Sequence, residues 1–202
     1  KRREGTKGKG MAHERFDLEA ITEALAIPVA RSALPGERIR LVFNGANGPD
    51  SSVMRWYQKS GDGWILSGVP QECPQVVAPT PFDSLLLPWT VPTATMQSDA
   101  PRIRRIADSL CRARKDRCDS IHACFSFVFH HLEKRFAVAF SNAVETLDAG
   151  YGDCGEHAVL LGALLRAARI PARIVLGLVY VSEKKGYYYH AWVMAESRGV
   201  WV

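Results

Sequence analysis

The sequence predicts an α+β fold in which a buried helix packs on an antiparallel sheet, preceded by a small β-rich region. Three observations predict it. From Val159 to Ala168 nearly every residue is apolar or small, with Arg166 the exception, and a helix that is apolar all round must be buried on most sides. After Pro171, ARIVLGLVYVS and YYYHAWVMAES flank the turn EKKG, RG turns the chain again, and VWV starts a third strand. Upstream, ERIRLVF, SVMRWYQ and GWILSG read as short strands, because NGANGPDS and KSGDG between them are rich in turn residues.

The remaining elements follow in order. Residues 1–12 open KRREGTKGKG, a basic, glycine-rich tail expected to be disordered. Met11 heads MAHERFDLEA, so the residues before it either precede a true start or belong to a longer protein. Residues 13–68 form the β-rich region, led by DLEAITEALAIP, a short helix that Pro28 ends. Residues 69–96 carry Pro70, Pro74, Pro79, Pro81, Pro88 and Pro92, a density that blocks helix and central strand. They read as an extended connector held against its neighbours by Phe82, Leu85, Leu86, Leu87 and Trp89. Residues 97–202 form the core. In it, Ser98 or Asp99 caps a helix with Ile103, Ile106, Ala107 and Leu110 on one face. A second helix starts near Asp119, with Ile121, Cys124, Phe125, Val128 and Leu132 at the same period. A third, SNAVETLDAG, has Asn142 and Glu145 at capping-box spacing.

Composition narrows the function. The chain has 202 residues and a net charge of +5, much of it in the tail and in PRIRRIADSLCRARKDR. No nucleic-acid motif or interleaved aromatic stripe accompanies that charge, so it reads as a solvated face rather than a nucleic-acid partner surface. No apolar run reaches the length of a membrane span. The cysteines, Cys73, Cys111, Cys118, Cys124 and Cys154, are five in number, irregularly spaced and without a CxxC, which argues against a disulfide framework. Cys111, Cys118 and Cys124 fall at helical apolar positions and read as small core residues.

Cys154 is different. Gly150 and Gly152 permit a tight approach to the helix, and Asp153 is placed to cap it. The cysteine then lies in the first turn, where free N–H groups and the helix dipole favour thiolate over thiol. The same N–H groups suit an oxyanion formed when sulfur attacks an acyl carbon. Two histidines compete as base. His157 shares a helix face with Cys154 but would become cationic at the positive helix end, so it reads as a packed or hydrogen-bonded structural residue. His190 lies mid-strand, with Tyr188 and Trp192 on its face and Tyr187, Tyr189 and Ala191 on the other. If that face meets the helix mouth, His190 reaches the sulfur from the sheet.

The set GDCGEHAVLLGALLRAARIPARIVLGLVY, YYYHAWV and WV resembles the transglutaminase-like core of the papain-like thiol enzymes, over roughly Gln97–Val202. MQSDAPRIRRIADSL is similar to the lead-in helix of bacterial members. The resemblance implies a Cys–His–Asp triad with Cys154 as nucleophile and His190 as base and then acid. Its third member follows the tryptophan of the next strand, so an aspartate is expected a few residues beyond Val202. The implied activity is acyl transfer on amide bonds of a protein or peptide substrate, ending in hydrolysis or transamidation, without an organic cofactor. No EF-hand loop suggests calcium. Two positions depart from the family pattern. Arg169 stands where glycine usually precedes Ile-Pro, at a cost of about 1 kcal/mol if left-handed. HACFSFVFHHLEKRF lacks the tryptophan that assists the oxyanion in many members. The alternatives are a non-catalytic member that binds peptide or protein in the same cleft, and a metal site built from Cys154, His157 and His190.

Overall fold

The most apolar stretch of the chain becomes the axis on which the other elements are assembled. The computed structural model describes residues 27–28, 39–41, 57–61, 63–66, 84–136, 141–181 and 183–202. The basic tail and most of the leading helix lie outside them. The apolar run forms a helix over Cys154–Ala167 (α4). It touches the three helices before it, Pro101–Cys111 (α1), Arg117–His131 (α2) and Ala143–Ala149 (α3), and both long strands after it, Ala172–Val181 (β7) and Gly186–Ser197 (β8). Leu160, Ala163, Leu164 and Leu165 of α4 meet Ile103 and Ala107 of α1, Cys124 and Val128 of α2 and Leu147 of α3 in one buried cluster.

Arg166 lies within this core, 4% exposed. Its Nε donates to the Ala172 carbonyl at 2.9 Å and a terminal nitrogen donates to the Val91 carbonyl at 2.8 Å. Burial lowers the tendency of the guanidinium to hold its proton. The helix closes in a Schellman motif: Ile170 N–H donates to the Leu165 carbonyl and Arg169 N–H to the Arg166 carbonyl, both at 2.9 Å. Arg169 is left-handed, with φ 60°.

The sheet is antiparallel. β7 pairs with β8 from Ala172↔Ala195 to Val181↔Gly186. The other edge of β8 carries Ile27–Pro28 (β1) at its start and Val200–Trp201 (β9) at its end. Arg198 and Gly199, both at positive φ, make the tight turn into β9. Ala195 also exchanges two hydrogen bonds with Val202. Among the described strands, the β8 edge between these partners, around His190, is open. In the N-terminal region Ile39–Leu41 (β2), Tyr57–Ser60 (β3) and Gly63–Leu66 (β4) form a separate sheet in the order β2-β4-β3.

Several expectations are corrected. Ile27 and Pro28 pair as a strand instead of ending a helix. The proline-rich connector contains a 3-10 helix over Ser84–Trp89, short enough to accommodate Pro88. Trp89 packs edge-on against Trp201, with ring centroids 6.2 Å apart. The first core helix is capped by neither Ser98 nor Asp99: its N-cap is Ala100, and Pro101 supplies the preset φ of the first turn. The second begins two residues early because Asp116 accepts the Asp119 N–H at 2.9 Å. Cys118 is not a plain core residue but is disulfide-bonded, while Cys111, Cys124 and Cys154 carry free thiols.

Candidate active site

The approach to Cys154 is set by two glycines. Gly150 takes the left-handed conformation, φ +69°, that ends α3. Tyr151–Gly152 (β6) then pairs in parallel with Glu133–Lys134 (β5), and Arg135 N–H donates to the Gly152 carbonyl at 3.0 Å. A Cβ on Gly152 would lie 2.3 Å from Cβ of Glu156, so the strand can cross the first turn of α4 only as glycine.

The first turn then uses up most of its donors. Asp153 accepts the Gly155 N–H at 2.7 Å and also the N–H of Glu156. Glu156 Oε2 accepts the Asp153 N–H at 3.1 Å, completing a capping box. The Asp153 carbonyl accepts the His157 N–H at 3.1 Å and its Nδ1–H at 2.6 Å, which fixes the ring tautomer. The N–H of Cys154 itself is left without an acceptor among the described residues. The helix mouth therefore leaves one backbone N–H open beside Cys154, not the several its position suggests. It also carries two carboxylates, which share the positive helix end with the sulfur. Burial pushes the Glu156 carboxyl up from its ordinary value, and the hydrogen bond to Asp153 adds to the rise.

Cys154, His157 and His190 line one cavity of about 780 Å3. Cys154 is half-buried and His190 exposed. The His190 ring stacks on Trp192, centroids 6.4 Å apart and planes at 26°. Trp192 in turn lies across Gly177, where a Cβ would come within 2.6 Å of the indole. The strand face that packs into the core carries Val193 and Ala195, hence also Ala191. His190 and Trp192 thus belong to the opposite face, and both line the cavity. Among the described residues no hydrogen bond joins Cys154 to His190. No group of three His, Cys, Asp or Glu side chains among them could hold a metal ion, so Cys154, His157 and His190 are not gathered as a ligand set.

The other thiols differ in setting. Cys111 and Cys124 lie 3.8 Å apart. Burial, with Cys111 close by, pushes the Cys124 thiol far above its ordinary range. The cavity carries features that helical period and motif did not single out. Phe125 was expected in the core but is 53% exposed and stacks with Phe129 at its rim. Lys134 and Arg135 stand beside them.

Residues 104–202 match the sequence model of the transglutaminase-like superfamily. This segment belongs to the transglutaminase-like superfamily. The transglutaminase-like core also has structural counterparts. A proposed cysteine protease from Cytophaga hutchinsonii is 23% identical, with a TM-score of 0.54 over 60% of this chain and 41% of its own. The periplasmic domain of TgpA from Pseudomonas aeruginosa is 24% identical, with a TM-score of 0.43 over 55% of this chain and 44% of its own. The chain thus spans less than half the length of these structures. The first likeness shows the α+β fold. No curated protein matches the chain. Within the transglutaminase-like core, the left-handed Arg169 is the departure from glycine anticipated above, and it is exposed to solvent. No helix among the described residues is long and apolar enough to cross a membrane.

Proposed function

We propose that the chain carries a cysteine-dependent acyl-transfer enzyme acting on carboxamides of a peptide or protein through a thioester. The observation that carries this reading is that Cys154, at the first turn of α4, faces the same cavity as His190. The sulfur attacks the carboxamide carbon, and the Cys154 N–H is oriented to receive the developing oxyanion. His190 takes the thiol proton and delivers it to the leaving amine as the C–N bond breaks. Water or an amine then cleaves the thioester, regenerating the thiol. The direct Cys154–His190 contact forms with substrate in place, as catalytic hydrogen bonds of unliganded enzymes commonly do. β9 runs back along β8 in the direction of His190, which is where the resemblance places an orienting carboxylate. Asp153, the one acid among the described residues that line the cavity, is occupied as the α4 cap.

The experiment is to incubate the chain with glutamine-containing peptides, quench in acid and weigh the Cys154 tryptic peptide. An acyl adduct on Cys154, absent from Cys154→Ala and formed about 10²–10⁴-fold more slowly by His190→Ala, is the expected result. The absence of a Cys154–His190 hydrogen bond favours a second reading, a peptide-binding member without chemistry. Peptide binding with no adduct at any time point would select it.

A further inference from the structure

On the reading just given, we propose that the acyl donor is a peptide with a large apolar or aromatic side chain beside the reacting carboxamide and a carboxylate side chain within about three residues of it, the reach of the basic rim at ordinary chain spacing. Phe125 and Phe129, one helical turn apart on α2, stack at 6.1 Å with planes at 22°. They are 53% and 60% exposed, and Phe136 is 59% exposed. Trp192, across the cavity, is 39% exposed. Large apolar side chains left in water around a nucleophile gain most when an apolar group of the substrate covers them.

Charge identifies the second half of the donor. Among the described residues that line the cavity, Lys134, Arg135 and Lys184 are cationic, and the only carboxylate is Asp153, which caps α4. Lys134 is held in register opposite Gly152, two positions before Cys154, by the β5–β6 pair. Neighbouring strands lie about 5 Å apart, so an extended lysine at this position reaches over the substrate backbone next to the sulfur. The Arg135 guanidinium lies 4.5 Å from the centre of the Tyr151 ring, which keeps its charge on the same rim. Such a rim discriminates against basic donors as well as attracting acidic ones.

The test uses the full chain with Cys154→Ala and fluorescein-labelled peptides that place Phe or Ala beside a glutamine and Glu or Lys two residues away. Anisotropy should show the Phe/Glu peptide binding roughly tenfold tighter than Phe/Lys or Ala/Glu, with the charge preference fading at high salt. The added pair Lys134→Glu and Arg135→Glu should invert the preference to Phe/Lys without changing the melting temperature. Equal affinities, or a preference the charge reversal leaves untouched, would overturn the proposal. So would sedimentation showing that this face is covered by a second copy and that peptide does not displace it. The acyl-transfer reading is judged separately. Selective binding with no Cys154 adduct in the parent chain removes the chemistry and keeps the selectivity. Turnover with no aromatic or acidic preference does the reverse.

Discussion

Arg169 shows how a single backbone angle sets a local energy. At φ 60° it holds the left-handed position of the motif that closes α4, where a side chain costs about 1 kcal/mol relative to glycine. Its own side chain is solvent-exposed. Arg169→Gly should therefore stabilise the chain by up to about 1 kcal/mol, read as a higher urea midpoint at unchanged slope. Glu156 gives a pH-dependent counterpart. Its carboxyl titrates above the ordinary value of 4.5 in the folded chain, mainly because it is buried. Between those two values the folded state binds more protons than the unfolded state. Stability from this group is therefore greatest below the ordinary value and falls as pH rises through the folded one. Glutamine keeps the acceptor that bonds the Asp153 N–H but has no charge to bury. Glu156→Gln should match the parent chain in thermal melts at low acidic pH and exceed it increasingly toward neutrality.

At the scale of elements, Cys154 is presented by the passage from α3 through β6 into α4. Gly152→Ala would drive a methyl group against Cβ of Glu156, which cannot swing aside. It should cost roughly 1–3 kcal/mol in denaturant titrations and slow alkylation or acylation of Cys154 together with it. Much of this passage was legible in the sequence. Asn142 and Glu145 announced the α3 cap by spacing, and both of their hydrogen bonds are made. Asp153 and Glu156 have the same spacing and form the second capping box, a signal that was there to be used. The route of the hairpin after Pro171 was equally readable from its alternation and turns. What could not be read was tertiary. Helical period alone cannot tell that Phe125 faces a cavity while Cys124 and Val128 face the core, because α2 borders both. Strand alternation set His190 and Trp192 on one face correctly, but which face meets α4 depends on the packing of Val193 and Ala195. The Cys118 disulfide depends on a distance between segments, which irregular cysteine spacing does not encode.

Over the whole molecule, the core is joined to the connector that precedes it by polar as well as apolar contacts. Met96 is 7% exposed and sits against Gly162, with its sulfur 2.6 Å from where a Cβ would lie. The Ala143 N–H donates to the Thr95 carbonyl at 2.8 Å. Arg166 reaches past both, from the end of α4 to Val91. Arg166→Met keeps the apolar stem but leaves two carbonyls without their donor, and should destabilise the chain by about 2 kcal/mol in equilibrium unfolding. A truncated protein starting at Gln97 would strip away the Val91 carbonyl, the Thr95 carbonyl and the Met96 plug together. It would strand a cation in an apolar interior, so the sensible cut for expressing the transglutaminase-like half alone lies ahead of Ser84, not at its first α-helix.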